Sequence, residues 1–109
     1  NDDDLADQLY KAGEETGELL WRFPLSEEFD SMIDSKNADM QNISNYKGGG
    51  SITAAQFLKR FVGDTKWAHL DIAGVSSVNR NKSLSQKGAT GFGVRLLDEL
   101  VKANYEPKD

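Results

Sequence analysis

The sequence contains no cysteine, which at once excludes disulfides, thiolate metal sites and a cysteine nucleophile, and fits a cytoplasmic protein. It has one histidine, His69, and two prolines, Pro24 and Pro107. No apolar run approaches about 18 residues, so no transmembrane helix is expected. The start, Asn1-Asp2-Asp3-Asp4, is acidic where a signal peptide needs basic residues and then an apolar stretch, so none is expected. There is no Gly-x-Ser-x-Gly elbow for a serine hydrolase. The glycine-rich stretch Gly48-Gly49-Gly50 has its lysine, Lys47, in front rather than behind, so the Walker phosphate-loop pattern is missing, as is the spacing of a dinucleotide loop. Internal repeats and low-complexity tracts are absent.

What is present describes a small globular domain. The chain has 109 residues, of which 28% are charged and 38% hydrophobic, enough for one core and outside the range of disordered chains. Charge is unevenly spread. Residues 1–40 hold twelve acidic and three basic side chains, a net −9; the total is −5, so the remainder carries +4. An acidic first third repels phosphate backbones, and nucleic-acid binding is not expected. A solvated acidic face accounts for the pattern.

The periodicity predicts alternating helices and strands. A first helix is expected over 3–15, with Asp2 to Asp4 at its positive end, Leu5, Leu9 and Ala12 on one face, Tyr10 beside it, and Gly13 and Gly17 bracketing its end. Leu19, Leu20, Trp21 and Phe23 form a short apolar run broken by Pro24. Ser26 is placed to cap a helix over 27–34, with Phe29, Met32 and Ile33 as its apolar side. Residues 39–43 are a weak strand candidate, and 44–50 a loop. A helix is expected over 51–62, with Ile52, Ala55, Leu58, Phe61 and Val62 on one stripe. A loop rich in serine and asparagine spans 75–89, including Ser83 and Ser85, and is long for a structureless connection. The last helix is expected over 90–103, with Val94, Leu97 and Val101 along one side and Leu96 and Leu100 adjacent.

Residues 66–74 read as an interior strand. Ala68, Leu70 and Ile72 alternate with Trp67, His69, Asp71 and Ala73, and neither face is freely polar. His69 and Asp71 lie two apart and share a face, where they could ligate a metal or share a proton. The structural alternative has His69 packed under a helix and Asp71 capping a neighbouring backbone group. Two ligands on a strand, without others at fixed spacing, are a weak metal signal. Gly48-Gly49-Gly50 opens directly into a helix whose free N–H groups attract anions; a tight turn or close backbone approach is the alternative.

The segment Trp67-Ala68-His69-Leu70-Asp71-Ile72-Ala73-Gly74 resembles a late strand of the leucyl (cytosol) aminopeptidase family, the two-metal peptidases. Trp21-Arg22-Phe23-Pro24-Leu25 resembles the family's Trp-Arg-Leu-Pro-Leu turn, and Ala38-Asp39-Met40-Gln41-Asn42-Ile43 its Ala-Asp-x-x-Asn segment. Gly50-Ser51-Ile52-Thr53-Ala54-Ala55-Gln56-Phe57-Leu58 resembles its Gly-x-x-Thr-Ala-x-x-Phe-Leu helix start. Gly88-Ala89-Thr90-Gly91-Phe92-Gly93-Val94-Arg95-Leu96-Leu97 resembles its closing helix. The matches run in order over nearly the whole chain and are weaker over 44–47 and 75–86.

This resemblance implies an α/β fold for residues 1–109: a partial three-layer arrangement, helices packed on part of a mixed sheet, forming the C-terminal segment of the catalytic domain. It implies a hydrolase that releases N-terminal residues from peptides using two divalent metal ions, Mn²⁺ or Zn²⁺, that activate a bridging water. The family's ligands come from a Lys/Asp motif and an Asn-Thr-Asp-Ala-Glu-Gly-Arg motif. Neither occurs here, so no catalytic residue and no metal ligand is assigned in this chain, and the segment alone is expected to be inactive and metal-free. By alignment of the quoted motifs, Ile43 and Ala73 fall where the substrate's side-chain pocket is lined, and Ser76 near its floor. His69 and Asp71 become structural, and the Gly48-Gly49-Gly50 turn a loop near the substrate cleft. The expected partners are peptide substrates and copies of the same protein in a cytoplasmic hexamer, with no nucleic acid and no membrane.

Two functional readings follow. In the first, this is the C-terminal segment of a two-metal aminopeptidase whose catalytic groups lie elsewhere. In the second, it is a non-catalytic oligomerisation or binding module derived from that family. Either way, a sheet with two strand candidates lacks neighbours for its interior strands, so self-association or exposed apolar surface is expected.

Overall fold

The computed structural model describes residues 1–81 and 86–109, which divide into two compact units. One consists of Asn1 with Arg22–His69, the other of Asp2–Trp21 with Leu70–Asp109.

In the second of these, helix α1 (Asp3–Thr16) starts where the sequence predicts. Asp2 is extended and its carboxylate accepts the Leu5 N–H at 2.8 Å, satisfying one of the donors that a helix start leaves free. Gly17 ends the helix at φ +74°, a left-handed conformation that glycine adopts without a Cβ penalty. Leu9, Ala12 and Gly13 are buried, while Tyr10 stays exposed. Gly13 is needed for a close approach: a Cβ there would sit 2.7 Å from the Glu18 carbonyl oxygen.

Helix α3 (Val94–Asn104) packs against α1. It begins four residues later than expected, because Gly91 and Gly93 take positive φ values of 66° and 100° and turn the chain. Its buried side is Leu96 and Leu100, whereas Val94, Leu97 and Val101, the stripe expected inside, are exposed. Each fully buried leucine is worth about 2–3 kcal/mol of removed apolar surface. At the far end, the Tyr105 hydroxyl donates to Gln8 of α1 at 2.5 Å.

Between α1 and α3 lies the most buried carboxylate described. Glu18 is 5% exposed and accepts N–H groups from Gly93 at 3.1 Å and Leu96 at 2.8 Å, one on each oxygen. It thereby caps α3, whose own cap residue, Gly93, has no side chain to do so. Arg95 reinforces the clamp, donating to the Thr16 carbonyl at 2.8 Å with its other terminal nitrogen 3.9 Å from Glu18. A carboxylate on free helix N–H groups meets both the hydrogen-bonding need and the positive end of the dipole.

The other unit is built on a 3₁₀ helix (Glu27–Ile33) and α2 (Gly50–Lys59). Ser26 caps the first as expected, its hydroxyl accepting the Glu28 N–H at 3.3 Å. Side chains from α2 and its C-cap bond carbonyls of this helix. The Ser26 carbonyl accepts the Phe29 N–H and the Gln56 amide at 2.8 Å; the Asp30 carbonyl accepts the Arg60 guanidinium at 2.8 Å. Acidic pairs at helical spacing, Glu27 with Asp30 and Asp30 with Asp34, disfavour the α form.

Helix α2 stops three residues before the expected Val62, passing into tight turns in which Phe61 and Val62 bond back three residues. Its buried side is Thr53, Ala55 and Gln56, so Leu58 and Phe61 of the expected stripe are exposed. The Phe57 and Phe61 rings meet edge to face at 5.3 Å. Ile33 and Gln56 have no exposed surface.

The expected strands are not formed. Residues 66–74 carry no ladder; instead Asn1 bonds this backbone, exchanging hydrogen bonds with Trp67 and donating to the Thr65 carbonyl. A strand needs a neighbouring strand to receive its N–H and C=O groups, and alternation in the sequence cannot supply one. Residues 39–43 bend, and Gln41 donates to the carbonyls of Ile33 and Met32. The sheet described is one antiparallel pair, β1 (Ser77–Val78) with β2 (Gly88–Ala89), in register Ser77↔Ala89 and Val78↔Gly88. Both strands fall within the segment expected to be loop, of which residues 82–85, with Ser83 and Ser85, lie outside the described residues. Helices with a small sheet are compatible with an α/β class. No helix among the described residues is long and apolar enough to cross a membrane.

Candidate functional site

Ala73 and Ser76 lie on one tight turn. The Asp71 carboxylate accepts the Ala73 N–H at 3.0 Å, the Val75 N–H bonds the Ile72 carbonyl at 3.0 Å, and the Ser76 hydroxyl reaches the Ala73 carbonyl at 3.4 Å. An aspartate bonding the backbone two residues on is the local geometry that favours this residue in turns. Ala73, Gly74 and Ser76 are exposed, so the turn presents its small side chains to whatever approaches.

The turn is tied to Thr90, the residue that follows β2. Thr90 donates its N–H to the Ser76 carbonyl at 3.0 Å and its hydroxyl to the Val75 carbonyl at 2.6 Å, while that hydroxyl accepts the Phe92 N–H at 3.2 Å. Little in the sequence points to Thr90 beyond its being a β-branched residue between Gly88 and Gly91, where a strand would end.

Ile43 belongs to the other unit, in a bend beside Ser44, whose hydroxyl accepts the Tyr46 N–H at 3.0 Å. Its side chain is 77% exposed. The glycine-rich turn nearby is a helix start: Gly49 is left-handed at φ +56°, and its carbonyl accepts the N–H groups of Ile52 and Thr53. Gly48 lies against the Tyr46 ring, which would stand 3.0 Å from a Cβ at that position. The tight-turn alternative is therefore the one observed.

His69 differs from expectation and Asp71 does not. His69 is exposed rather than packed under a helix, with its ring stacked on Trp67 at 6.2 Å and 29°. Asp71 is exposed and engages the Ala73 N–H, matching the backbone-capping alternative. Among the described residues no three His, Cys, Asp or Glu side chains form a group that could hold a metal ion. The donor set among the described residues does not fit a pair of metal ions.

The model of the cytosol aminopeptidase family, catalytic domain, matches residues 1–98. Among similar proteins, each named a probable cytosol aminopeptidase, that of Brucella melitensis is 62% identical over 106 residues. That of Sinorhizobium fredii is 63% identical and that of Allorhizobium ampelinum 60% identical over the same length. Each alignment covers 97% of this chain but only 21–22% of the relative, so the chain spans about a fifth of the length of the curated proteins it matches.

Proposed function

Because the chain belongs to the cytosol aminopeptidase family, we propose that it is the C-terminal segment of a two-metal aminopeptidase that hydrolyses N-terminal residues from peptides. The observation that carries this reading is the match of residues 1–98 to the family's catalytic domain. Within it, Ala73 and Ser76 line the pocket for the substrate's N-terminal side chain. The exposed Ala73 and Ser76, held on one turn, leave room there, and a change of one or two methylenes in such a pocket alters discrimination by about 1–3 kcal/mol.

The Mn²⁺ or Zn²⁺ ions and the groups that act with them belong to the rest of the catalytic domain. The whole enzyme is a cytoplasmic hexamer. The expected outcome is metal-dependent release of an aminoacyl chromophore by the full-length protein and none by the 109-residue chain. Metal-dependent release by the 109-residue chain would overturn this division of labour.

A second reading, a non-catalytic oligomerisation module, is favoured by one observation: Val94, Leu97 and Val101 expose an apolar side of α3. Light scattering of the chain separates the two, since a module of this kind forms a defined oligomer by itself.

A further inference from the structure

We infer that Thr90 is the positioning residue for the turn that carries Ala73 and Ser76, and so sets which N-terminal side chains the pocket accepts. The inference rests on the reading that Ala73 and Ser76 line that pocket. Its physical basis is the way the hairpin ends.

The register Ser77↔Ala89 and Val78↔Gly88 extends one step further, to Ser76 opposite Thr90, where the Thr90 N–H donates to the Ser76 carbonyl at 3.0 Å. The ladder cannot continue, because Gly91 turns the chain at φ +66°. The Thr90 hydroxyl takes the place of the next rung. It donates to the Val75 carbonyl at 2.6 Å and accepts the Phe92 N–H at 3.2 Å, so its single proton has one use and its orientation is fixed from both sides.

The hydrogen bonds inside the turn are local: Asp71 to Ala73, Ile72 to Val75 and Ala73 to Ser76 each span two or three residues. Such bonds fix the turn's shape but not its place. The hydroxyl bond of Thr90 spans fifteen residues and holds the turn against the segment leading into α3. Thr90 itself is half-buried and need touch no substrate.

The test uses the full-length protein that carries this segment and two aminoacyl chromophores, one with a small and one with a bulky side chain. Thr90→Val keeps the shape and deletes the hydroxyl; it lowers the ratio of kcat/KM between the preferred and the poor substrate by about 5- to 10-fold, mainly through KM. Thr90→Ser keeps the hydroxyl and restores the ratio to within about twofold of the starting value. An unchanged ratio in Thr90→Val, or an equal fall in kcat for both substrates, overturns the inference. If Thr90→Val does not fold, the same ratio is read in Thr90→Ala with the same criteria. Ser76→Met is measured alongside. A ratio moved by Ser76→Met but not by the Thr90 variants removes the positioning role and leaves the pocket reading intact; a ratio indifferent to Ser76→Met removes the pocket reading and the inference with it.

Discussion

The two units solve the same problem to different degrees. Each sets one helix against another and buries a polar side chain where they meet. In the unit of α1 and α3, both oxygens of Glu18 are used, each on a backbone N–H that would otherwise be lost. In the unit of the 3₁₀ helix and α2, Gln56 is fully buried and its amide nitrogen bonds Ser26 and Asp30, yet its Oε1 has no hydrogen-bond partner among the described residues. A buried acceptor left unmade costs about 1–3 kcal/mol. The lesson is that burial alone does not make a polar group stabilising; the count of its satisfied atoms does.

The strongest blow to that contrast is struck at Leu96, which has no exposed surface. Leu96→Ala costs about 3–4 kcal/mol by lost burial and the cavity left behind, read as a lower denaturant midpoint with faster amide exchange throughout α3. Unaltered exchange in α3 would show that its contact with α1 does not hold the unit together. Next comes Glu18→Ala, which strands two helix N–H groups and costs about 2–3 kcal/mol, with the Leu96 amide exchanging faster by one to two orders of magnitude. Glu18→Gln, which retains one acceptor, costs about half as much. The smallest effect belongs to Gln56→Met, which removes the unmade acceptor along with two bonds and costs under about 1 kcal/mol. A loss at Gln56 equal to that at Glu18 would erase the difference between the units.

Local signals were readable in the sequence, and long-range ones were not. Asp2 and Ser26 announced their helix starts because a cap acts within three residues. The side of α3 that faces inward is not legible in the sequence, since Leu96, Leu97 and Leu100 with Val94 and Val101 spread apolar residues over a wide arc. Periodicity gives the width of such an arc, and only the partner helix selects its centre. Residues 66–74 illustrate a second limit: alternation describes what a strand would look like, while the ladder depends on another piece of chain. Ala73 and Ser76 were placed by their resemblance to a family motif, but the tie through Thr90 joins residues fourteen and fifteen apart and leaves no periodic trace. Glu18 had one clue. A carboxylate just past the negative end of α1 is unfavourable for that helix, which hints that it serves another.

The Glu18 clamp also imposes an order of events during synthesis. It joins residues 78 apart in sequence, whereas Gln56 reaches back only 26 to 30 residues to its partners. On a ribosome adding roughly 5–20 residues per second, Glu18 emerges roughly 5–15 s before the turn that will receive its carboxylate exists. The inserted unit can close in that interval, while Leu9 and Ala12 wait without α3. Helix α1 is thus secured only once α3 has been made, and the nascent chain carries an adhesive surface for as long as α3 remains unmade.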